Sequence, residues 1–385
     1  MHNLLGVNMS EGPLKGIRIL DFGRVLSAPY ATLHLADLGA DVVKVEHPNG
    51  GDDTRSFGPP FVGGLSTYFL SVNRGKRSIV LDLKTEEGRS KARALALKSD
   101  VVIENFRPDV MAKLGLGYEE LCLENPSLIY ASLSGFGHQR PDKPGYDLMI
   151  QGLSGIPSIT GPVDGEPYKC GAAIADLVAG MNLVQGVLAA LFRRERTGRG
   201  GFVDVSMIDG MRSLLTYHAG AYLNAGFLPQ KMGNGHPSIH PFRSYLTADG
   251  LLNICVGNDR IFSRLAKALG HPQWAQDERF KSNPQRVANR NELNDLLEPL
   301  FLQKNRADWE DIMSRHGVPV ARMATIPEAL DGVECVEHSY SKDEVKIKSL
   351  PLPFGIDKEP RGAKKRAPLL GEHTEEVCSE WLKED

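Results

Sequence analysis

Apolar and polar positions along this chain follow two periods in alternation. Short runs with strand spacing lie at residues 17–21, 41–45, 78–82, 100–104 and 128–133. Between them, stretches of helical period fall at 29–38 and 86–97, with a single helical turn at 110–114. Pro29 suits a first helical turn and Gly39 a helix stop. Strands alternating with helices predict an α/β fold with a parallel sheet covered on both faces. Such sheets take ligands at the carboxyl ends of their strands, and Arg24, Asn105 and Phe106 fall at those ends.

The pattern then changes. From 174 to 193, Leu177, Met181, Val184, Leu188 and Leu191 recur at spacings of three and four, predicting a helix with one buried face. A glycine-rich turn at 197–201 leads to a strand at 202–205 and a helix running to about Leu223. Residues 226–242 are rich in glycine, proline, asparagine and histidine, as in a linker or active-site loop. A strand at 251–256 and amphipathic helices around 262–269, 290–302 and 309–316 predict a smaller domain, and a proline-rich extended stretch at 351–368 precedes a last helix at 374–383. The expected division is a large domain over 1–225, a small domain with linkers over 226–330, and a return to the large domain over 331–385.

Asp176 stands in the first turn of the predicted 174–193 helix, where free N–H groups and the helix dipole stabilise an anion. Its neighbours Ala175, Ala179 and Gly180 are small and leave room for a ligand. A carboxylate kept ionised in a mostly apolar pocket can attack an activated acyl group. The local sequence taken alone favours the plainer alternative, an aspartate that caps its own helix, since caps far outnumber nucleophiles.

Composition narrows the function classes. The chain has 385 residues, 41% hydrophobic and 24% charged, with a formal net charge of −3, which suits a soluble globular protein and gives nucleic acid no basic surface to bind. Five cysteines, widely spaced and without a C-x-x-C pair, argue against a disulfide framework or a zinc site and fit a reducing compartment. No unbroken apolar run reaches membrane-spanning length, and residues 1–12 lack the features of a signal peptide, so the expectation is a cytoplasmic protein with no membrane partner.

The familiar nucleotide motifs are missing. The loop at 22–29 has no G-x-G-x-x-G, and there is neither a P-loop nor a G-x-S-x-G. His236 and His240 are four apart, but Pro237 and Pro241 rule out a shared helix face for a metal. The segment 72–77 concentrates Arg74, Lys76 and Arg77 beside Gly75, a set that can hold phosphates by charge-assisted hydrogen bonds. Asn105, Phe106 and Arg107 offer an amide, an aromatic face and a guanidinium at a strand end, able to stack on a purine and pair with a phosphate.

Several collinear segments carry a resemblance to a known family. They are the stretches at 13–16, 38–46, 73–78, 104–106, 175–176, 196–200 and 367–374, and together they resemble the class III coenzyme A-transferases of the formyl-CoA transferase (CaiB/BaiF) type. The resemblance implies a Rossmann-like large domain, a smaller α/β domain and an interlocked homodimer. It implies Asp176 as nucleophile, with coenzyme-binding positions at Val25, Leu26, His47, Asn73, Lys76, Asn105, Phe106, Lys113 and Tyr146. His47 stands where family members often carry arginine, and a histidine is only partly charged at neutral pH.

The activity so implied moves CoA from acetyl-, formyl- or succinyl-CoA to oxalate or another small dicarboxylate. It runs through an aspartyl anhydride and an aspartyl-CoA thioester and uses no cofactor beyond the CoA thioesters that are its substrates. The active-site loop of the family falls on Gly233, Asn234, Gly235 and His236, where formyl-CoA transferases carry a run of glycines. Two prolines stiffen this loop, which turns the expectation away from formyl-CoA as donor. The resemblance extends to α-methylacyl-CoA racemases, but their basic histidine would fall at residues 145–147, where this chain has Tyr146, a poor base at neutral pH. A non-catalytic CoA-binding protein is the other alternative, and the presence of Asp176 argues against it.

Overall fold

The computed structural model describes residues 12–141, 143–340, 345–357, 361–363 and 365–383. The readings of residues 1–11 and 358–360 and of Lys364 fall outside them. Six strands, β1 (Arg18–Asp21), β2 (Asp41–Glu46), β3 (Arg77–Val80), β4 (Val101–Glu104), β5 (Ile129–Ser134) and β6 (Gly201–Ser206), form one sheet. Their order is β3-β2-β1-β4-β5-β6, and every pairing is parallel. The sheet grows outward from β1 in one direction and then from β4 in the other. A doubly wound sheet of this order opens a crevice where the direction reverses, at the carboxyl ends of β1 and β4.

Side chains alternate across the sheet, as the pleat requires. Ile19, Val42, Val101, Ile103 and Ala131 enter a core with α1 (Ser27–Asp37) and α3 (Ile174–Thr197). Leu20, Val43, Ile79, Val102 and Tyr130 enter a second core, with the helix Glu86–Leu97 and the last helix, Thr374–Trp381. Among the described residues α3 is the one helix long and apolar enough to cross a membrane by length and composition, a property that the search for unbroken apolar runs passes over. Its apolar side chains Ala175, Ala179, Leu183 and Val187 lie in the first core.

Contacts divide the chain into two units. The first holds the described residues of Met1–Ile156, Lys169–Tyr217 and Glu334–Asp385, and the second holds Pro157–Tyr168 and His218–Val333. The division falls at 217, inside the helix Thr216–Ala225, rather than at 225, and it assigns Pro157–Tyr168 to the second unit. The expected helix reaching Leu223 is two helices, Met207–Ser213 and Thr216–Ala225. Three hairpins were not anticipated: Phe61–Val62 with Leu65–Ser66 and Val336–Tyr340 with Val345–Ser349 in the first unit, and Phe242–Thr247 paired with Gly250–Cys255 in the second. The second unit has its own core around Tyr245, Phe262, Phe301 and Trp309.

The α1–α3 crossing is tight because Gly180 has no side chain. A Cβ there would stand 2.7 Å from the Ser27 carbonyl oxygen and 3.0 Å from the Tyr30 ring. Gly180→Ala should therefore destabilise the fold by about 1–3 kcal/mol, seen as a lower midpoint in thermal unfolding. An unchanged midpoint would show that this contact does not set the helix spacing.

Candidate active site

The site is built around the loop from β1 to α1, whose backbone is held group by group. The Asp21 carboxylate accepts the Gly23 N–H at 2.7 Å, and Lys44 Nζ donates to the Gly23 carbonyl at 2.5 Å. Asn105, just past β4, grips Arg24 from both sides: its Oδ1 accepts the Arg24 N–H at 2.8 Å and its Nδ2 donates to the Arg24 carbonyl at 2.9 Å. The Val25 N–H points to the Asp52 carboxylate, 3.2 Å from the nearer oxygen. Val25 is left-handed, with φ 65°. A β-branched residue is uncomfortable there, at a cost of about 1–3 kcal/mol, and persists only where its surroundings fix it.

Beyond this loop Leu26 is the N-cap of α1 and makes no side-chain capping bond, so the helix start at the cavity wall keeps N–H groups free of a side-chain cap. The Ser27 hydroxyl accepts from Asn105 Nδ2 at 3.3 Å and hydrogen-bonds the Asp176 carboxylate. Asp176 sits three residues into α3 and does not cap it. That work falls to Asp147, at the start of α2 (Asp147–Leu153), whose Oδ1 accepts the Ala175 N–H at 2.9 Å. Asp147 Oδ2 in turn accepts from Gln151 Nε2 at 2.8 Å, and Gln151 Oε1 accepts the Cys170 N–H at 2.9 Å. The alternative left open by the sequence, a capping aspartate, is thus filled by a different residue.

Burial, and then the nearby Asp147 charge, push the Asp176 carboxyl up to about 6, against the opposing hydrogen bond from Ser27. No ion pair to Asp176 is found among the described residues. The Tyr68 phenol is pushed upward by burial and by the charges of Asp176, Asp52 and Asp147. It therefore stays a neutral donor beside these carboxylates.

Two cavities meet here. The first, of about 350 Å³, is lined by Arg24–Ser27, Asn105–Pro108, Ser134, Lys143–Asp147, Asp176 and Met207 among others. The second, of about 230 Å³, is lined by Phe22, Arg24, His47, Leu114 and the 81–84 loop after β3. Arg24 and Phe106 line both. The Phe106 N–H is held at 2.8 Å by Glu104, whose carboxyl burial raises to about 7. Gly135 and Gly145 let two backbones touch at the wall of the first cavity: a Cβ on either would fall within 2.5 Å of the other's Cα.

The structure brings Val25, Leu26, Asn105, Phe106, Tyr146 and Asp176 to the first cavity and His47 to the second. Lys113 is exposed, one residue before Leu114. Asn73 and Lys76 line neither. Both are buried at the amino end of β3, where Lys76 Nζ donates to the Pro29 carbonyl at 3.0 Å and to Asn73 Oδ1 at 2.9 Å. Gly233, Asn234, Gly235 and His236 belong to the second unit, where the His236 N–H donates to the Phe242 carbonyl at 3.1 Å. The structure places Arg107, the guanidinium singled out in the sequence, at the first cavity, whereas sequence reasoning missed Lys84 and Lys143 as cavity cations and Asp147 as the cap. Among the described residues no cluster of His, Cys, Asp and Glu could hold a metal ion.

The arrangement can present an ionised, unpaired carboxylate to a carbonyl carbon while the uncapped start of α1 faces the resulting oxyanion. Comparison with known proteins agrees with that chemistry. The sequence matches CoA-transferase family III over residues 14–374. It is 41% identical to a succinate–glutarate CoA-transferase of Agrobacterium fabrum, over 96% of this chain and 95% of that protein. It is 43% identical to an acetyl-CoA:oxalate CoA-transferase of Acetobacter aceti, over 83% of this chain and 82% of that one. The crystal structure of a CaiB/BaiF family protein from Brucella suis superposes with a TM-score of 0.85 at 40% identity, covering 96% of this chain and all of that one.

An Asp176 carboxyl raised to about 6 makes a signed prediction for stability. Above pH 6 the folded protein carries a charge it disfavours, a penalty of about 2–3 kcal/mol that fades as pH falls from 6 toward 4. Asp176→Asn, neutral at every pH, should melt a few degrees above the wild type at pH 8 and level with it near pH 4. A wild type as stable as the variant at pH 8 would contradict the raised value.

Proposed function

The chain belongs to CoA-transferase family III, and from that premise we propose that it moves CoA from succinyl-CoA or acetyl-CoA to a small dicarboxylate such as glutarate or oxalate, with Asp176 as the covalent carrier. The observation that carries this reading is the state of Asp176: relieved of capping by Asp147, without a cationic partner among the described residues, and set in a cavity at the switch point of the sheet.

The electron bookkeeping closes without an outside reagent. The Asp176 carboxylate attacks the thioester carbonyl, and the tetrahedral adduct expels CoA thiolate to leave a mixed anhydride. The thiolate attacks the aspartyl carbonyl, releasing the donor carboxylate and leaving an aspartyl-CoA thioester. The acceptor carboxylate attacks that thioester, giving a second anhydride, and the thiolate then attacks the acceptor acyl carbon. The new acyl-CoA leaves and the Asp176 carboxylate is restored. Each step trades one activated acyl bond for another, so the cycle calls for no ATP, metal or redox cofactor.

In this reading the N–H groups of Leu26 and Ser27 face the oxyanions, the Tyr68 hydroxyl donates to the transferring carboxylate, and water is kept out because it would hydrolyse the anhydride. The adenine stacks on Phe106, and Lys84, Arg107 and Lys143 meet the phosphates. Both named relatives act on dicarboxylates, which supports a dicarboxylate acceptor. A homodimer belongs to the same reading, supported by the exposed apolar side chains Leu148, Leu153 and Phe192 on the first unit.

A donor-by-acceptor screen read by mass spectrometry tests the proposal. It should show glutaryl-CoA or oxalyl-CoA formed from succinyl- or acetyl-CoA. Asp176→Ala should cut that product by about a thousandfold or more while the protein stays folded. An alanine variant with wild-type turnover would remove Asp176 from the chemistry.

A further inference from the structure

The geometry points to the ion pair of Lys44 and Asp52 as the device that holds the Val25 backbone in its left-handed form and thereby aims Leu26 and Ser27 at the reacting carbonyl, a positioning role for Asp52. The inference rests on the transfer reaction proposed above.

Lys44 Nζ and Asp52 Oδ2 are 2.8 Å apart, and each side chain is only 1% exposed. Removing two charges from water costs about as much as their attraction returns, so a buried pair is weak evidence for a stabilising role. Its geometry suggests another. Lys44 lies on β2 and Asp52 six residues beyond that strand, yet each takes one backbone group of the β1–α1 loop: Lys44 the Gly23 carbonyl, Asp52 the Val25 N–H. Asp52 is itself fixed by the Thr54 N–H at 3.0 Å and the Thr54 hydroxyl at 2.7 Å. Burial pushes its carboxyl upward, but the Lys44 charge and these hydrogen bonds outweigh burial and hold it well below the ordinary range. The acceptor facing Val25 is therefore a permanent anion, and charge-assisted bonds of this kind are the stronger ones.

Without that acceptor, valine at φ 65° has every reason to relax to negative φ. Relaxation would turn the next two residues, Leu26 and Ser27, both of which line the cavity that holds Asp176. Glycine adopts the left-handed form without penalty. The dependence on Asp52 should therefore vanish when residue 25 has no Cβ, and neither a general structural role nor a direct contact with coenzyme predicts this.

The experiment is a double-mutant cycle in the full-length protein, with succinyl-CoA and glutarate as substrates and thermal unfolding recorded in parallel. Asp52→Asn should lower kcat by about 30-fold in the otherwise wild-type chain but by no more than about 3-fold when Val25→Gly is already present, a coupling of about tenfold. If Asp52→Asn alone folds poorly, Lys44→Met with Asp52→Asn removes both charges and leaves no lone buried cation, and it should show the same coupling to Val25→Gly. Equal losses in both backgrounds would overturn the assignment. Amide exchange reads the clamp without turnover: Asp52→Asn should speed exchange at Val25 by about tenfold or more, and unchanged exchange would also overturn it. An inactive wild type would instead count against the proposed substrates, leaving the exchange result to decide the clamp.

Discussion

Asp147 accepts the N–H of Ala175, and the rest of the site depends on that hydrogen bond. A carboxylate in the first turn of a helix is ordinarily drawn to the free N–H groups around it, which stabilise its charge and blunt its reactivity. Here a second carboxylate, on a neighbouring helix, takes that place. Asp176 is left buried, with the like charge of Asp147 nearby and only the Ser27 hydroxyl to oppose them, so its carboxyl is raised to about 6 rather than lowered. Such a group is ionised near neutral pH, is more basic than an exposed aspartate, and lacks the cation that would hold its lone pairs.

The sheet explains why these parts meet. β1 and β4 are adjacent only because the strand order reverses between them, and the reversal leaves their two loops side by side. Asn105 bridges that gap by gripping the Arg24 backbone, and Lys44 and Asp52 reach the same loop from the β2 side. Buried charge is spent here on backbone geometry. Asp21, Lys44 and Asp52 each bond a main-chain group within Gly23–Val25, a segment that neither helix nor sheet would otherwise order.

Much of this was legible in the sequence, and the exceptions have a physical pattern. The alternation of periods placed every strand of the main sheet to within a residue or two, and the strand-end rule pointed to Arg24, Asn105 and Phe106. The basic run around Lys76 misled because it lies before β3, at the amino end of the sheet, where Lys76 turns inward to Pro29 and Asn73. Applied after β3, the same rule would have found Lys84 and its neighbours. The role of Asp147 was not legible, since a cap supplied from 28 residues upstream leaves no local signature. The hairpin of Phe242–Thr247 with Gly250–Cys255 was missed because its first strand follows directly on a loop rich in glycine and proline.

The central claim is that Asp176 becomes covalently acylated during each cycle. Hydroxylamine added during turnover with a succinyl-CoA donor, followed by peptide mass mapping, tests it most directly, because an aspartyl anhydride or thioester is trapped as a stable hydroxamate. The account predicts that mark on Asp176 in the presence of donor and none without it. An unmodified Asp176 peptide recovered from enzyme that is still turning over would contradict it.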